Sequence, residues 1–492
     1  MSLKRTTAGD ALPELGIGIT YFSGVEDLLI KNPGIIDVLE LEPQTFWLKK
    51  QNDFFVPDDV ISFIDQLPGK KLIHSVGLPV GGNLPPDKAQ LSLLKQVIDH
   101  FHSPWASDHM GFNATHEFQT GFFLPQHQTE EGVKVAVKNI RTLQRTLNIP
   151  IAIETGVNYL QMRKDEMPDG EFVRNIIEEA DCGLLLDLHN IFTNEWNGRQ
   201  RIDEFLSQIP LDRVWEVHLA GGIEMDGYWL DAHSGAKPDA LYRIAQDVIP
   251  HLPNVKAIIF ELLPVYLSIV GEEVVQDQLF KIRDLWSARK NKRSQSTITT
   301  ALKSVRPQVS LGDKTISTTE WEQILSCSAT GRPFDNSISS QEIANDPGVR
   351  ILSKLINEFR GSMLISVYRL TCRYLMLTLG MEAFQVIMED FWSKYPPRLF
   401  TSEEAANFSS YLKDAAFNLP HLYTVANYEE AVVATLMDNQ RRVVHFDLDP
   451  VPLLRNLADG KLTDLSNRQT GNFEIEITPN NNFVFSGWHS EL

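Results

Sequence analysis

Cysteine is scarce in this chain, with three in 492 residues. Cys182, Cys327 and Cys372 lie far apart and form no CxxC pair. This spacing argues against a disulfide framework and against a structural zinc–thiolate site. We therefore expect three reduced, buried side chains in a cytoplasmic protein.

Long apolar runs and excess positive charge are also missing. No run approaches the roughly 20 apolar residues that span a bilayer, and Met1–Pro13 has no apolar segment of the kind that secretory signals carry. The 45 Lys and Arg against 64 Asp and Glu give a formal net charge of −19. Proteins that grip nucleic acid need a positive surface. The sequence therefore predicts no membrane partner and no nucleic-acid partner.

Eight short β-rich runs mark the first 285 residues, and amphipathic stretches separate them. Apolar strands alternating with helices are typical of a parallel sheet buried on both faces. Eight such units match the usual size of a closed (β/α)8 barrel. The alternative is a doubly wound open sheet, which usually carries a Gly-rich phosphate turn after its first strand, and none follows here. The predicted strands are Gly16–Thr20, Ile35–Leu41, Lys71–Val76, Trp105–Asp108, Pro150–Glu154, Gly183–Asp187, Val214–Leu219 and Ala257–Glu261.

The composition changes after the eighth run. Residues 287–307 are polar and basic, which predicts a linker between an α/β barrel domain (1–286) and a second domain (308–492). Because 43% of the chain is hydrophobic, two cores are expected rather than one. The second domain is expected to be smaller, α+β and helix-rich. Its predicted helices are Pro347–Leu379, Glu382–Trp392, Ser402–Ala416 and His421–Met437, and its predicted strands are Arg442–Asp447, Asn472–Ile477 and Asn482–Phe485.

Histidines and carboxylates stand at or just after the ends of the third to eighth predicted strands. In a (β/α)8 barrel these ends meet at the face that carries the active site. Singly, such a residue is explained by a hydrogen-bonded core His or by an acid that caps a helix, as we expect for Asp108 and Asp212. Together these buried polar groups would need many hydrogen-bond partners, and bound metal ions would satisfy several of them at once. The candidates are His74, His109, Glu154, Asp187, His189, His218, Asp231, His233 and Glu261.

The donor types narrow the choice of metal. Apart from His189, the set has four imidazoles, four carboxylates and no thiolate. Imidazole suits iron, zinc and copper, and carboxylates add hard oxygen ligands. Because eight ligands exceed the needs of one ion, we expect two or three ions bridged by a carboxylate, with Glu154 the central candidate. Open positions would remain for substrate and for O2 or water.

Six segments around these residues resemble motifs of one family. They are HSVGLPVGG from residue 74 (family H-G-V-x-L-S-x-G), SDHM from 107 (S-D-H-L), FLPQ from 123 (L-L-P-x-P), GLLLDLHN from 183 (L-L-D-x-N-N), HLAG from 218 (H-L-A-G-H) and DAH from 231 (D-T-H). The family is that of the multinuclear non-haem iron-dependent oxidative enzymes, which includes the methanobactin-biosynthesis oxidase. The likeness spans residues 14–286, and it is the combination of motifs that is specific.

This resemblance implies a TIM barrel of the xylose-isomerase-like type that holds two or three irons, as mixed Fe(II) and Fe(III), with O2 as co-substrate. It implies oxidative modification of a residue, often Cys, in a ribosomally made precursor peptide. The implied metal ligands are His74, His109, Glu154, Asp187, His218, Asp231, His233 and Glu261.

The chain departs from the family pattern at three positions. Thr155 replaces an Asn, His189 replaces the first Asn of the N-N pair, and Gly222 replaces the final His of H-L-A-G-H. We expect His189 to be an extra ligand, with a His bonded to a loop carbonyl as the alternative. Glu154, Asp187 and His189 are the predicted catalytic residues.

Segments of the second domain resemble the helical partner protein that accompanies such oxidases and helps to bind the leader of the precursor peptide. They lie at 365–369, 391–397 and 419–429. The resemblance implies that this usually separate partner is fused here, and the terminal β segment could pair with a peptide strand. A purely stabilising or dimerising domain is the alternative.

Two other reaction classes use similar barrels. One is a metal hydrolase resembling the trinuclear zinc endonucleases, against which the negative charge argues, and the other is a sugar isomerase. A binding module without catalysis would not need eight convergent ligands. Metal analysis separates the classes, since the hydrolase predicts zinc with phosphodiesterase activity and the oxidase predicts iron with O2 uptake.

Overall fold

The computed structural model describes residues 8–50, 53–290, 316–334, 337–462 and 470–479. The strands in these ranges are β1 (Gly16–Thr20), β2 (Val38–Leu41), β3 (Leu48–Lys50), β4 (Asp53–Phe55), β5 (Lys70–His74), β6 (Ala106–His109), β7 (Phe112–Ala114), β8 (Gln119–Leu124), β9 (Ile151–Glu154), β10 (Gly183–Asp187), β11 (Val214–Ala220), β12 (Ile223–Met225), β13 (Tyr228–Leu230), β14 (Ala257–Glu261), β15 (Arg442–Leu448) and β16 (Thr470–Ile477).

Helices follow or separate most of these strands. They are α1 (Glu26–Lys31), α2 (Asp58–Gln66), α3 (Lys88–Phe101), α4 (Glu130–Leu147), α5 (Asp169–Ala180), α6 (Leu188–Trp196), α7 (Ile202–Gln208), α8 (Asp239–Val248), α9 (Pro264–Val270), α10 (Glu272–Ala288), α11 (Thr318–Ala329), α12 (Ile338–Ala344), α13 (Pro347–Val367), α14 (Arg369–Leu379), α15 (Met381–Lys394), α16 (Thr401–Ala415), α17 (Leu422–Asp438) and α18 (Pro450–Ala458).

Eight parallel strands close into a barrel in the order β1-β14-β11-β10-β9-β6-β5-β2. The predicted (β/α)8 fold is confirmed, and the open-sheet alternative is excluded because β1 pairs with both β2 and β14. Each of the eight predicted runs overlaps a barrel strand. The largest difference is in the second run, where pairing begins at Val38 rather than Ile35.

The barrel interior has an apolar layer below a polar one. Side chains two residues apart on a strand point the same way. In five barrel strands a residue of one buried apolar cluster is followed two positions later by a His or a carboxylate. Trp105 and Trp215 belong to the same apolar cluster. The paired positions are Val38 and Glu40, Leu72 and His74, Ala152 and Glu154, Leu185 and Asp187, and Ile259 and Glu261.

The loops at the barrel mouth are covered in part by α11 and α13. Trp321 of α11 is buried, stacks on His127 with ring centroids 4.6 Å apart, and donates from Nε1 to the Pro125 carbonyl at 2.9 Å. Ile351 and Leu352 of α13 share a buried cluster with barrel-loop residues. Neither α11 nor α12 was predicted from the sequence.

A second core is built from the later helices and the β15–β16 hairpin. The predicted helix Pro347–Leu379 is in fact two helices, α13 and α14, which break at Tyr368. The Glu429 carboxylate accepts from the backbone N–H groups of Leu370 and Thr371, at 2.7 and 2.9 Å. It thereby satisfies donors that the first turn of α14 would otherwise leave unpaired.

Two predicted segments, the linker and the last strand, lie partly or wholly outside the residues that the structure describes. Ser287 and Ala288 of the predicted linker belong to α10, while residues 291–307 lie outside the described residues. The predicted strand Asn482–Phe485 also lies outside them.

All three cysteines are buried and free, as predicted. Among the helices that the structure describes, none combines the length and apolar character needed to cross a membrane.

Candidate metal centre

His74 and His109 face the same oxygen of Glu154. Their Nε2 atoms lie 3.2 and 3.1 Å from Glu154 Oε2. The other ring nitrogen of each His is held from behind, since His74 Nδ1 lies 2.9 Å from Ser107 Oγ and His109 Nδ1 lies 3.3 Å from the Ser75 carbonyl. The two His and Glu154 therefore form a group that could hold one ion.

Glu154 also belongs to a second group, with Asp187 and His218. Asp187 Oδ1 caps α6 by accepting from the backbone N–H groups of His189 and Asn190, at 2.6 and 3.0 Å. Asn190 Nδ2 in turn donates to Glu154 Oε1 at 3.1 Å. One oxygen of each carboxylate is thus occupied by the protein. The other oxygen of each is buried and has no hydrogen-bond partner among the described residues.

A third cluster lies beside Glu261. Its Oε1 is 3.1 Å from His218 Nδ1, and its Oε2 is 3.5 Å from His233 Nε2. His233 Nε2 is also 3.1 Å from Asp231 Oδ1. Asp231 and His233 come from the loop after β13, so this cluster is built partly on loop backbone rather than on barrel strands.

His189 is buried in the first turn of α6, next to this third cluster. Its Nδ1 lies 2.9 Å from Asp231 Oδ1, and its Nε2 accepts a hydrogen bond of 3.1 Å from the Trp229 indole. The nine candidates identified from the sequence therefore lie in one connected cluster at the carboxyl end of the barrel. Their roles as ligands remain predictions.

Sequence reasoning missed a layer of residues behind His218. Glu40 Oε1 lies 3.1 Å from His218 Nε2, and Glu216 Oε2 accepts 3.0 Å from the Trp105 indole. Both carboxylates are fully buried. A carboxylate behind a ligating His fixes the ring and raises its basicity. Glu40 is the last but one residue of β2, so a search for polar residues near the end of the second strand would have found it.

Asp108 is not a helix cap, contrary to the prediction. It lies inside β6, where its Oδ1 accepts from the His109 backbone N–H at 2.7 Å. The same oxygen is 3.8 Å from His109 Nδ1. The same prediction is wrong for Asp212, which is exposed and lies inside a short 3-10 helix (Leu211–Arg213) whose N-cap is Pro210.

Burial and mutual charge separate the pKa values of the clustered groups. Burial lowers the pKa of His74 to about 3, and the neighbouring His109 and His218 act in the same direction. Burial also opposes charge on His109, but Glu154 and Asp108 raise its pKa to about 9. Burial raises the pKa of Asp187, and the charges of Glu261 and Glu154 add to that rise.

These observations test whether the residues suit metal ions. Asp187 Oδ2 is buried without a hydrogen-bond partner among the described residues. Glu154 Oε2, His218 Nδ1 and Glu261 Oε2 are also buried, and the groups that face them at 3.1 to 3.5 Å are not aligned for a hydrogen bond. Buried polar atoms in folded proteins are normally satisfied. Cations bound between these carboxylates would satisfy them and remove their repulsion, so the donor set fits a multinuclear centre of imidazole and carboxylate ligands.

The mouth above the cluster is aromatic. Phe123 stacks on the ring of His109 with centroids 4.4 Å apart. Its neighbour Phe122 contacts Phe359 of α13, with centroids 6.2 Å apart. Phe122 in turn lies against Phe123, with centroids 6.5 Å apart, so three successive ring contacts link Phe359 of α13 to His109.

Residues 18–262 match the model of a family described as "RiPP precursor modification enzyme MbnB/TglH/ChrH". This stretch contains all nine candidate residues. The barrel belongs to this family. The resemblance identified in the motifs is thus confirmed, and with it membership among enzymes that modify precursor peptides.

Relatives in several bacteria match less than half of this chain. A UPF0276 protein of Chromobacterium violaceum is 27% identical over 236 residues, which is 47% of this chain and 86% of the relative. One from Psychromonas ingrahamii is 32% identical over 180 residues, covering 35% of this chain and 62% of the relative. For a relative from Streptomyces avermitilis, at 27% identity, the match spans 46% of its length.

Solved structures with a similar barrel include sugar-converting enzymes. A xylose isomerase domain protein from Planctomyces limnophilus gives a TM-score of 0.36 at 12% identity, covering 57% of this chain and 100% of that chain. A D-allulose 3-epimerase from Methylomonas sp. gives a TM-score of 0.36 at 15% identity, with 57% and 99% covered.

Proposed function

We propose that this protein is an O2-dependent multinuclear non-haem iron enzyme that oxidatively modifies a residue, most often Cys, of a ribosomally made precursor peptide. The observation that carries the proposal is the sharing of ligands between groups. Glu154 belongs to two of the groups that could hold an ion. His218 belongs to one of these, and to a further group with Glu40 and Glu261. Shared ligands place ions close together, as a multinuclear centre requires.

We propose that these donors hold two or three ions. His74, His109 and Glu154 would hold the first, and Glu154, Asp187 and His218 the second. Glu261, Asp231 and His233 supply donors for a third. Imidazole and carboxylate together suit iron, whose redox chemistry with O2 is what the metal would supply.

The protein's own groups would orient these ligands and the substrate. Asn190 holds one oxygen of Glu154, Ser107 holds the back of His74, and Glu40 holds the back of His218. These contacts are in place without rearrangement, so the ligand positions are preorganised. Phe123 covers His109 and limits access of water from that side.

Residues 308–492 would form a domain that replaces a separate partner protein and binds the leader of the precursor peptide. Two observations support this. Phe359 of α13 is 40% exposed and contacts Phe122 at the mouth. Among the described residues β15 and β16 pair only with each other, so each has an edge to which a peptide strand could add.

A cytoplasmic location belongs to the same proposal. The three free cysteines are all buried, which suits a reducing compartment. Neither a nucleic acid nor a membrane is proposed as a partner, since the formal net charge is −19.

The test uses iron-loaded full-length protein with a short Cys-containing peptide encoded beside its gene. The proposal predicts O2 uptake in proportion to peptide consumed, together with a mass change confined to one peptide residue. Zinc-loaded protein serves as the matched control and should do neither. Phosphodiester cleavage or sugar isomerisation by the zinc form, without peptide modification by the iron form, would refute the proposal.

A further inference from the structure

The Trp229 indole is fixed against the metal centre by its own surroundings. Asn197 clamps its backbone, accepting from Trp229 N–H at 2.9 Å and donating to its carbonyl at 2.8 Å. The ring packs against Trp196 and Phe192, with centroids 5.4 and 6.1 Å away. Trp229 Nε1 then donates to His189 Nε2 at 3.1 Å.

Gly222 makes room for this indole. A Cβ at position 222 would lie 2.3 Å from Trp229 Nε1 and 2.5 Å from its Cε2. The same Cβ would lie 2.5 Å from the Leu230 carbonyl oxygen. None of these distances is tolerated between non-bonded atoms, so a side chain at 222 would displace the indole ring, the backbone just before Asp231, or both. The departures from the family motifs at positions 189 and 222 are therefore linked in space through Trp229.

The direction of the indole hydrogen bond determines the tautomer of His189. An indole N–H can only donate, so His189 Nε2 must be the accepting nitrogen and Nδ1 carries the hydrogen. Nδ1 faces Asp231 Oδ1 at 2.9 Å and donates to it. With one nitrogen accepting and the other protonated, the neutral ring has no lone pair left for a metal.

We propose that Trp229 is a positioning residue that acts through His189, and that His189 orients Asp231 rather than binding a metal itself. The chain Trp229–His189–Asp231 then aims the Asp231 carboxylate at the position it shares with His233. The Asp231 backbone N–H is held separately, by the Tyr159 hydroxyl at 3.1 Å. This role replaces the ligand role that the sequence predicted for His189. It rests on the proposed function in one respect, that a cation binds at Asp231 and His233.

Metal binding distinguishes the two roles because they predict opposite signs. If His189 is a ligand through Nδ1, the indole N–H opposes the tautomer it needs, so Trp229→Phe should tighten binding. If His189 positions Asp231, Trp229→Phe releases the ring, and the cation at Asp231 and His233 should bind about 10- to 100-fold more weakly. The other cations should be unaffected, because the side chains of Trp229 and His189 hydrogen-bond no proposed ligand but Asp231, and the bond from the His189 backbone N–H to Asp187 does not depend on either side chain.

The experiment is equilibrium dialysis of metal-depleted full-length protein against Co(II), with Co(II) absorption spectra recorded at each point. Co(II) serves as the probe whether the native metal is iron or zinc, so a failure of the iron proposal leaves this test valid. We expect Trp229→Phe and Gly222→Ala each to weaken one Co(II) site. Trp196→Phe is the matched control, since it alters the same aromatic cluster outside the hydrogen-bonded chain, and it should bind like the wild type.

A double variant tests whether Trp229 acts through His189. His189→Ala and His189→Ala with Trp229→Phe should bind Co(II) equally, because Trp229 has no effect once His189 is gone. Tighter or unchanged binding in Trp229→Phe would overturn the proposal. So would equal weakening of every Co(II) site, or weakening by Trp196→Phe of the same size.

Discussion

Glu154 is the residue on which the proposed centre depends most. One of its oxygens accepts from Asn190, and the other faces His74 and His109. Glu154→Gln keeps the shape but removes the charge that two cations would share. We expect iron affinity to fall by more than the roughly 10- to 100-fold typical of outer-shell changes, with activity lost in parallel.

The matched control for this variant is Asp212→Asn, an exposed acid in a turn before β11. It should leave the iron content and activity within error of the wild type. Iron per chain after dialysis against a weak chelator is the readout. Equal losses in the two variants would show that Glu154 is not a bridging ligand.

At the level of helices, the Arg360–Glu404 pair joins α13 to α16. The two side chains are buried and 2.6 Å apart, and Arg360 also donates to the Tyr395 carbonyl at 3.0 Å. Arg360→Met leaves a carboxylate buried without its partner, which costs about 3–5 kcal/mol of unfolding free energy. Calorimetry should show a lower Tm for the second core.

The double variant Arg360→Met with Glu404→Leu removes both charges. Replacing a buried pair with apolar residues is often neutral, so the double variant should recover most of the lost stability. A double variant as unstable as the single one would mean that Arg360 acts through its carbonyl contacts instead.

Docking of α11 on the barrel should depend on pH. Glu322 accepts from both the backbone and the side-chain amide of Asn83, each at 2.8 Å. Burial raises the pKa of Glu322 to about 7, although the bonds from Asn83 oppose the rise. Because the pKa of Glu322 is higher in the docked state, the protonated carboxyl stabilises docking. This stabilisation is largest below pH 4.5, the ordinary pKa of a glutamate, and is lost as the pH rises through about 7.

Hydrogen exchange of the α11 amides checks this expectation. After correction for intrinsic rates, protection should be greater at pH 6 than at pH 8. Glu322→Gln keeps an acceptor for Asn83 without a titrating group, so its protection should be the same at both values. An unchanged pH dependence in Glu322→Gln would assign the effect to another group.

Elements that depend on their own local sequence could be predicted, whereas features that depend on residues distant in the sequence could not. The barrel strands were predictable because each is a continuous apolar run whose burial does not depend on any single partner. The break at Tyr368 was not, since it depends on Glu429 some sixty residues along the chain. Ligand candidates followed from strand ends, whereas the Trp229–His189 contact required the coordinates of a loop.

At the scale of the whole molecule, the proposed function requires the barrel and residues 308–492 to bind the same peptide. Phe359 is 40% exposed beside the mouth, while Phe280 of α10 is 59% exposed and packs with no other aromatic ring in the described part of the chain. We expect Phe359→Ala to raise the KM for the precursor peptide several-fold with iron content unchanged. Phe280→Ala should leave KM as it is. Equal KM values in the two variants would show that Phe359 does not contribute to binding the peptide.

The identity and number of the metal ions decide between this account and its rivals. Full-length protein purified without oxygen should contain about two to three iron ions per chain, as expected for the imidazole and carboxylate donors at the mouth. Elemental analysis of active protein gives the answer. Stoichiometric zinc without iron, in protein with full activity, would contradict the account.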